Sequence, residues 1–207
     1  MRPDEKPRNI LNICLLTCSE QKMLNEKVTE LINSGQKVKL HLGCGSRLFD
    51  GYLNVDGDYM AHDPNVLIHD ITKPFPLPDN CVDEILSVHV IEHLSRQYIL
   101  PMYQEFYRIL RPTGAAATEW PDLLKMCQEV VNNPDCFWSH DKRLHKRTVA
   151  GIYGDSVRYP DPTMLHKWGY SGESMSKIFR DAGFTRVQIE GNIHAKSSID
   201  SRVVAYK

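Results

Sequence analysis

Between Ser19 and Ser34 the apolar residues Met23, Leu24, Val28, Leu31 and Ile32 recur at three- and four-residue intervals, which lines them along one stripe of an α-helix. Ser19 stands where an N-cap would, and Gly35 where the helix would end. The period then shortens to two. Residues 37–42 alternate and run into Gly43-Cys44-Gly45-Ser46-Arg47, a strand followed by a glycine-rich turn. Further strands are predicted over 52–56, 66–70 and 82–88, the first two ending on the carboxylates Asp56 and Asp70. Pro74, Pro76 and Pro78 make the stretch before the third a rigid loop. Residues 92–110 carry Leu94, Tyr98, Met102, Phe106, Ile109 and Leu110 on one side and predict a helix kinked at Pro101. A strand over 115–119, a helix over 122–133 and a helix over 171–182, capped by Ser171 and closed by Gly183, come next. Strands over 184–190 and 202–206 end the chain as an antiparallel pair. Residues 134–167 show no period and are rich in Pro, Asp, His and basic residues, as expected of an excursion over an active face.

Strands alternating with helices predict an α/β fold with a mostly parallel sheet, whose ligands sit at the carboxyl ends of the strands. The 207 residues, 42% apolar and 25% charged, suit one domain with a full core. We expect an N-terminal extension and helix over 1–36 and a single domain over 37–207. Lys plus Arg number 25 against 26 for Asp plus Glu. This balance gives no pull toward nucleic acid or an anionic membrane, so neither is expected as a partner. Cys14, Cys18, Cys44, Cys81, Cys127 and Cys136 form no CxxC pair and no zinc quartet, which reads as reduced thiols of a cytoplasmic protein. Arg2, Lys6 and Arg8 ahead of the apolar run 10–16 and Cys18 superficially mimic a lipoprotein signal. Asn12 interrupts that short run and Thr17 is bulky for such a site, so no processing and no membrane span are expected.

Gly43 and Gly45 let the backbone bend sharply and approach a ligand with no Cβ in the way. A carboxylate at Asp56 can accept hydrogen bonds from both hydroxyls of a ribose, and one at Asp70 from an adenine amino group. Either aspartate alone is an ordinary turn former. In order behind a glycine-rich turn, they fit one adenosyl ligand lying across three strand ends.

Three stretches carry a family resemblance: Leu-His-Leu-Gly-Cys-Gly-Ser-Arg47, Gly51-Tyr-Leu-Asn-Val-Asp56, and Pro78-Asp-Asn-Cys-Val-Asp-Glu-Ile-Leu-Ser-Val-His-Val-Ile-Glu-His-Leu94. Arg108-Ile-Leu-Arg-Pro-Thr-Gly114 and His166-Lys-Trp-Gly-Tyr-Ser171 through Phe184 add to it. The chain resembles class I S-adenosylmethionine-dependent methyltransferases, in their small-molecule, type 11-like branch, over roughly residues 37–190. The resemblance implies a Rossmann-like seven-stranded sheet, mostly parallel with an antiparallel last strand and helices on both faces. It implies S-adenosylmethionine as cofactor, contacted by Gly43, Gly45, Asp56 and Asp70, with Cys44, Ser46, Gly57, Ile71, Val88 and His89 completing the site. The stretch between Gly45 and Asp56 leaves room for a turn but not a full helix. The helix dipole available to the cofactor's carboxylate is weakened accordingly, and Arg47 becomes its candidate counter-ion, unless it is only a solvated side chain.

A sulfonium methyl needs positioning and dryness more than activation, and a base only where the nucleophile carries a proton. His89, just past the fourth strand, is one candidate base; it could equally pack the cofactor. His93 reads as a satisfied histidine at a helix start. His166 and Tyr170 either line an acceptor pocket, with His166 an alternative base, or pin the following helix. The basic cluster 142–147 is a solvated helix face or a phosphate or RNA contact. His140, His145 and His166 lack metal-ligand spacing, so no metal is expected. The reading is a methyltransferase acting at oxygen or nitrogen of a small metabolite or sugar-like acceptor, as a monomer or homodimer. The alternatives are an RNA or protein methyltransferase of the same fold and a non-catalytic cofactor-binding subunit. A nicotinamide enzyme is disfavoured by the missing third glycine.

Overall fold

The computed structural model of the protein describes residues 18–57, 62–154, 162–195 and 197–207. The extension up to residue 17, with Cys14 and the apolar run 10–16, lies outside the described residues, as do 155–161 of the expected excursion. Seven strands form one sheet: β1 Lys39–Leu42, β2 Leu53–Asp56, β3 Val66–Ile68, β4 Val82–Val88, β5 Leu110–Pro121, β6 Arg186–Glu190 and β7 Asp200–Tyr206. Their order is β3-β2-β1-β4-β5-β7-β6. β1 runs parallel to β2 and β4, β2 to β3, and β4 to β5, while β7 is antiparallel to both β5 and β6. The expected sheet with its antiparallel last strand is therefore present. After β1 the chain turns toward β2, and after β4 toward β5, so the loops at their carboxyl ends part at the place where strand order reverses.

Two of the three buried clusters follow the alternation along the strands. Leu40, Leu42, Val55, Ile85, Ala116, Val203 and Ala205 face a large cluster that takes in Leu24 and Val28 of α1 (Cys18–Asn33). Met102, Tyr103, Phe106 and Ile109 of α2 (Ile99–Ile109) join it, with Met175 and Phe179 of α6 (Gly172–Asp181). Leu86, Val88, Ala117 and Val204, one residue out of phase, face a smaller cluster covered by Phe49, Tyr52 and Ala195. Among the described residues, no helix is long and apolar enough to cross a membrane.

Several boundaries differ from expectation. The helix predicted from residue 92 begins only at Ile99; two 3-10 turns, Ile91–His93 and Arg96–Tyr98, precede it. The carbonyl of Glu92 is engaged by the amides of Lys167 (2.7 Å) and Trp168 (3.4 Å), and Leu94 and Ser95 are extended, so no helical ladder can start there. Pro101 falls in the first turn of α2, where its missing N–H leaves nothing unbonded, and no kink is required. β3 stops at Ile68, two residues before Asp70. β5 runs past both predicted ends because Leu110 pairs with Val82 across a register shift and β7 supports its other edge as far as Pro121. The excursion is more regular than its sequence suggests. It holds α4 Lys142–Arg147 and α5 Val149–Tyr153 between short 3-10 turns, with Cys136, Thr148 and Ala150 buried and Gly151 seated against Met126 of α3 (Leu123–Asn132).

Candidate functional site

β1 ends where its backbone changes hand. Gly43 (φ +66°) and Gly45 (φ +51°) both occupy the left-handed region. The amides of Gly43 and Cys44 share the carbonyl of Val55 at 2.8 and 3.3 Å, which ties the bend to β2. Any Cβ at Gly43 would lie 2.4 Å from Cγ2 of Val90, so the first glycine lets the tip of β1 close against the chain leaving β4. Gly45 differs: a Cβ there would meet nothing within 4 Å, leaving its backbone open to a ligand.

The predicted carboxylates gather beside that bend. Asp56, buried at the end of β2, accepts the amide of Gly45 on Oδ2 (2.5 Å) and that of Gly57 on Oδ1 (2.7 Å). The amide of His69 donates to the Asp56 carbonyl at 2.8 Å, holding the tip of β3 against β2. Asp70 follows at once, its Oδ1 accepting the amide (2.9 Å) and hydroxyl (2.7 Å) of Thr72. It therefore works as a turn former at a strand tip neighbouring Asp56. Cys44, Ile71 and Val88 are buried around this group, and burial first, then Asp56, pushes the Cys44 thiol up to about 12. Ser46 and Arg47 are exposed. Arg47 donates to the carbonyl of His194 at 3.0 Å and lies over the ring of Phe49, tying the glycine turn to the loop before β7.

The tip of β4 carries a second set of charges. His89, at φ +56°, turns the chain out of the strand, and its amide bonds to the carbonyl of Glu119 at 2.9 Å. Its imidazole lies between Glu92 (Nδ1 to Oε1, 3.3 Å) and Asp200 (Nε2 to Oδ2, 3.5 Å). Burial disfavours the cation, but the two carboxylates outweigh it and raise the pKa to about 10. The His89 ring thus bridges two carboxylates, both of which favour its charged form. Glu119, near the end of β5, is buried; it accepts the amides of Ile193 (3.1 Å), His194 (3.0 Å) and Ala195 (2.5 Å) and the guanidinium of Arg202 (2.7 Å). Burial opposes its charge, yet these donors hold the carboxyl below the usual range.

His166 joins His89 through Glu92. Its amide bonds to the carbonyl of Tyr153 at 3.1 Å, and its ring meets that of His93 edge-on at 4.9 Å between centroids. Burial pushes the His166 pKa down. Tyr170 does not line this group: it is buried, and its carbonyl accepts the indole N–H of Trp120 and the amide of Leu123, both at 3.0 Å. It pins the start of α6. The basic cluster forms α4, whose Lys142, Arg143, His145 and Lys146 are exposed while Arg147 pairs with Glu129, as a solvated helix face would. His140 and His145 stay outside the histidine group.

Sequence reasoning missed Glu92, Asp200 and Glu119. Glu92 follows His89 by three residues, a detectable signal; Asp200 reaches the tip of β4 only through the late return of β7.

Residues 40–118 match a family of methyltransferase domains. No curated protein matches. Among solved structures, the chain is similar to an S-adenosylmethionine-dependent methyltransferase from Archaeoglobus fulgidus, with a TM-score of 0.56, 18% identity, and coverage of 90% of this chain and 94% of that one. A possible histamine N-methyltransferase from Thermotoga maritima gives 0.54 and 15%, covering 91% and 92%. A putative O-methyltransferase from Nostoc punctiforme gives 0.54 and 12%, covering 91% and 56%.

Proposed function

We propose that the chain is an S-adenosylmethionine-dependent methyltransferase that methylates an oxygen or nitrogen of a small metabolite or sugar-like acceptor, a reading supported by the match of residues 40–118 to a family of methyltransferase domains and by the likeness in fold to a solved methyltransferase. The observation that carries this reading is the contact between the open glycine turn and the Asp56 carboxylate at adjoining strand tips. Bound there, the cofactor supplies a methyl group on a positively charged sulfur, an electrophile needing no activation. In this reading Asp56 accepts from the ribose hydroxyls, Asp70 from the adenine amino group, and the backbone from Gly43 to Gly45 runs along the open side of the ligand. Cys44, Ser46, Gly57, Ile71 and Val88 close around it, with Arg47 as counter-ion to the carboxylate.

The acceptor end is the tip of β4, where His89, Glu92 and His166 meet. Tyr153, whose carbonyl accepts the His166 amide, and Trp168, just after His166 in the chain, both carry exposed rings. Flat apolar faces beside a few charged groups suit a small ring-bearing acceptor, and the solvated helix α4 supplies no reason to invoke RNA. Near-balanced charge and free thiols at Cys44, Cys81, Cys127 and Cys136 agree with a cytoplasmic setting, as a monomer or homodimer.

Two measurements test this. Calorimetric titration with S-adenosylmethionine should give binding that Asp56→Ala weakens by about 1–3 kcal/mol, because the ligand hydroxyls lose buried acceptors. An acceptor screen that detects the demethylated cofactor should then find turnover on a small hydroxyl or amine compound. Unchanged affinity in a folded Asp56→Ala protein removes the ribose assignment; turnover confined to RNA or protein substrates removes the small-molecule reading.

A further inference from the structure

Glu92 is the least satisfied charge in the described residues around this site. It is 2% exposed, yet neither carboxylate oxygen meets a donor in hydrogen-bonding geometry; His89 stands 3.3 Å from Oε1 as an ion pair only. A buried carboxylate that is ion-paired to His89 but hydrogen-bonded to nothing keeps acceptor capacity for a further partner. Beside it are His93 and His166, and the ligand atoms of all three lie within 4.8 Å of one another.

The His93 imidazole is prepared on its far side. Nδ1 of His93 lies 3.4 Å from the carbonyl of Leu165, so donation there leaves Nε2, 4.0 Å from Oε1 of Glu92, with its lone pair. An imidazole whose second nitrogen donates to a carbonyl has the fixed tautomer and orientation of a metal ligand. The backbone locks the two halves together, since the Glu92 carbonyl receives the amides of Lys167 and Trp168.

We propose that Glu92, His93 and His166 bind one divalent transition-metal ion of the zinc class, leaving coordination positions open toward the acceptor. Two histidines and one carboxylate are a donor set of catalytic zinc sites, with bond lengths of about 2.0–2.2 Å; ligand atoms at that radius stand about 3–4 Å apart, so small side-chain rotations close the site. The three residues come from a turn after β4 and from the segment at Leu165, 72 residues beyond His93, which is why sequence spacing did not reveal them. The inference rests on the methyltransferase reading for its purpose. An ion there would hold an acceptor hydroxyl and lower its pKa, so that the proton leaves to solvent at neutral pH. The acceptor class narrows to compounds offering oxygen, with two adjacent hydroxyls filling the open positions best.

The test uses the full chain, stripped with chelator and titrated with Co²⁺ as a visible reporter. The expected result is one ion per chain, a visible absorption without the charge-transfer band of a thiolate, and displacement by Zn²⁺. His166→Ala and, separately, His93→Gln should each weaken binding by about tenfold or more while the circular dichroism stays native; His140→Ala with His145→Ala should change nothing. Glu92→Gln completes the set, and the two less buried histidines carry the test should that variant not fold. Absence of stoichiometric binding, or binding unmoved by both histidine variants, overturns the proposal. Titration with S-adenosylmethionine in parallel separates the outcomes: cofactor binding without metal binding rejects this inference alone, and metal binding without cofactor binding or methylation rejects the methyltransferase reading and leaves the metal site.

Discussion

Exchanging Glu119 for alanine should destabilise the fold by about 3–5 kcal/mol, the range for removing one partner of a buried ion pair. Arg202, buried on β7, would keep its charge with Glu190, at 3.5 Å, as the ion-pair partner left among the described residues. The amides of Ile193, His194 and Ala195 would lose their shared acceptor. Urea denaturation would measure the loss, with Glu119→Gln giving a smaller one because it keeps the shape and one acceptor. The effect should depend on pH in a defined sense. The folded carboxyl titrates below its unfolded value, so its contribution is fully present above the unfolded pKa and disappears as pH falls through the folded one. Parent and Glu119→Gln stabilities should therefore converge in acid; a gap that stays constant would mean that shape rather than charge carries the effect. Function should suffer too, because the loop that Glu119 holds carries the carbonyl to which Arg47 is tied.

The parts of this architecture written in local pattern were legible. Alternation located β1, β2 and β4, the helical stripe located α1, and Ser171 marked α6, where its hydroxyl caps the Ser174 amide in a capping box. Gly43, Gly45, Asp56 and Asp70 were legible as a group because each lies at or just past the end of a strand, and neighbouring parallel strands bring their tips together. What stayed hidden depends on segments far apart in sequence. The stripe of Leu94 and Tyr98 suggested a helix from residue 92, but the carbonyl that would begin its ladder is taken by Lys167 and Trp168. The partners of His89 were hidden, since nothing local announces that β7 delivers Asp200 to it. The excursion looked formless because its short helices are ordered by burial of Thr148 and Ala150 and by Gly151 against Met126, not by a periodic stripe of their own.

Gly43→Ala should cost about 2–5 kcal/mol from two separable sources: about 1–2 for placing an L-residue in the left-handed region and about 1–3 for forcing a methyl into filled space. The methyl would lie 2.4 Å from Cγ2 and 3.0 Å from Cγ1 of Val90, at a backbone φ of +66°. Val90→Ala removes both branch carbons but leaves φ unchanged. In the double variant the steric part should return while the conformational part remains, so a double-mutant cycle on melting data should give a favourable coupling of about 1–3 kcal/mol. Cofactor binding offers the second readout. If β1 must close against the chain leaving β4 to set Gly45 on Asp56, the single variant should bind S-adenosylmethionine more weakly than its stability loss explains, and the double variant should recover. Zero coupling together with unimpaired binding would mean that the glycine bend reaches its geometry without the contact to Val90, and the close approach of the two strand tips would lose its role in shaping the site.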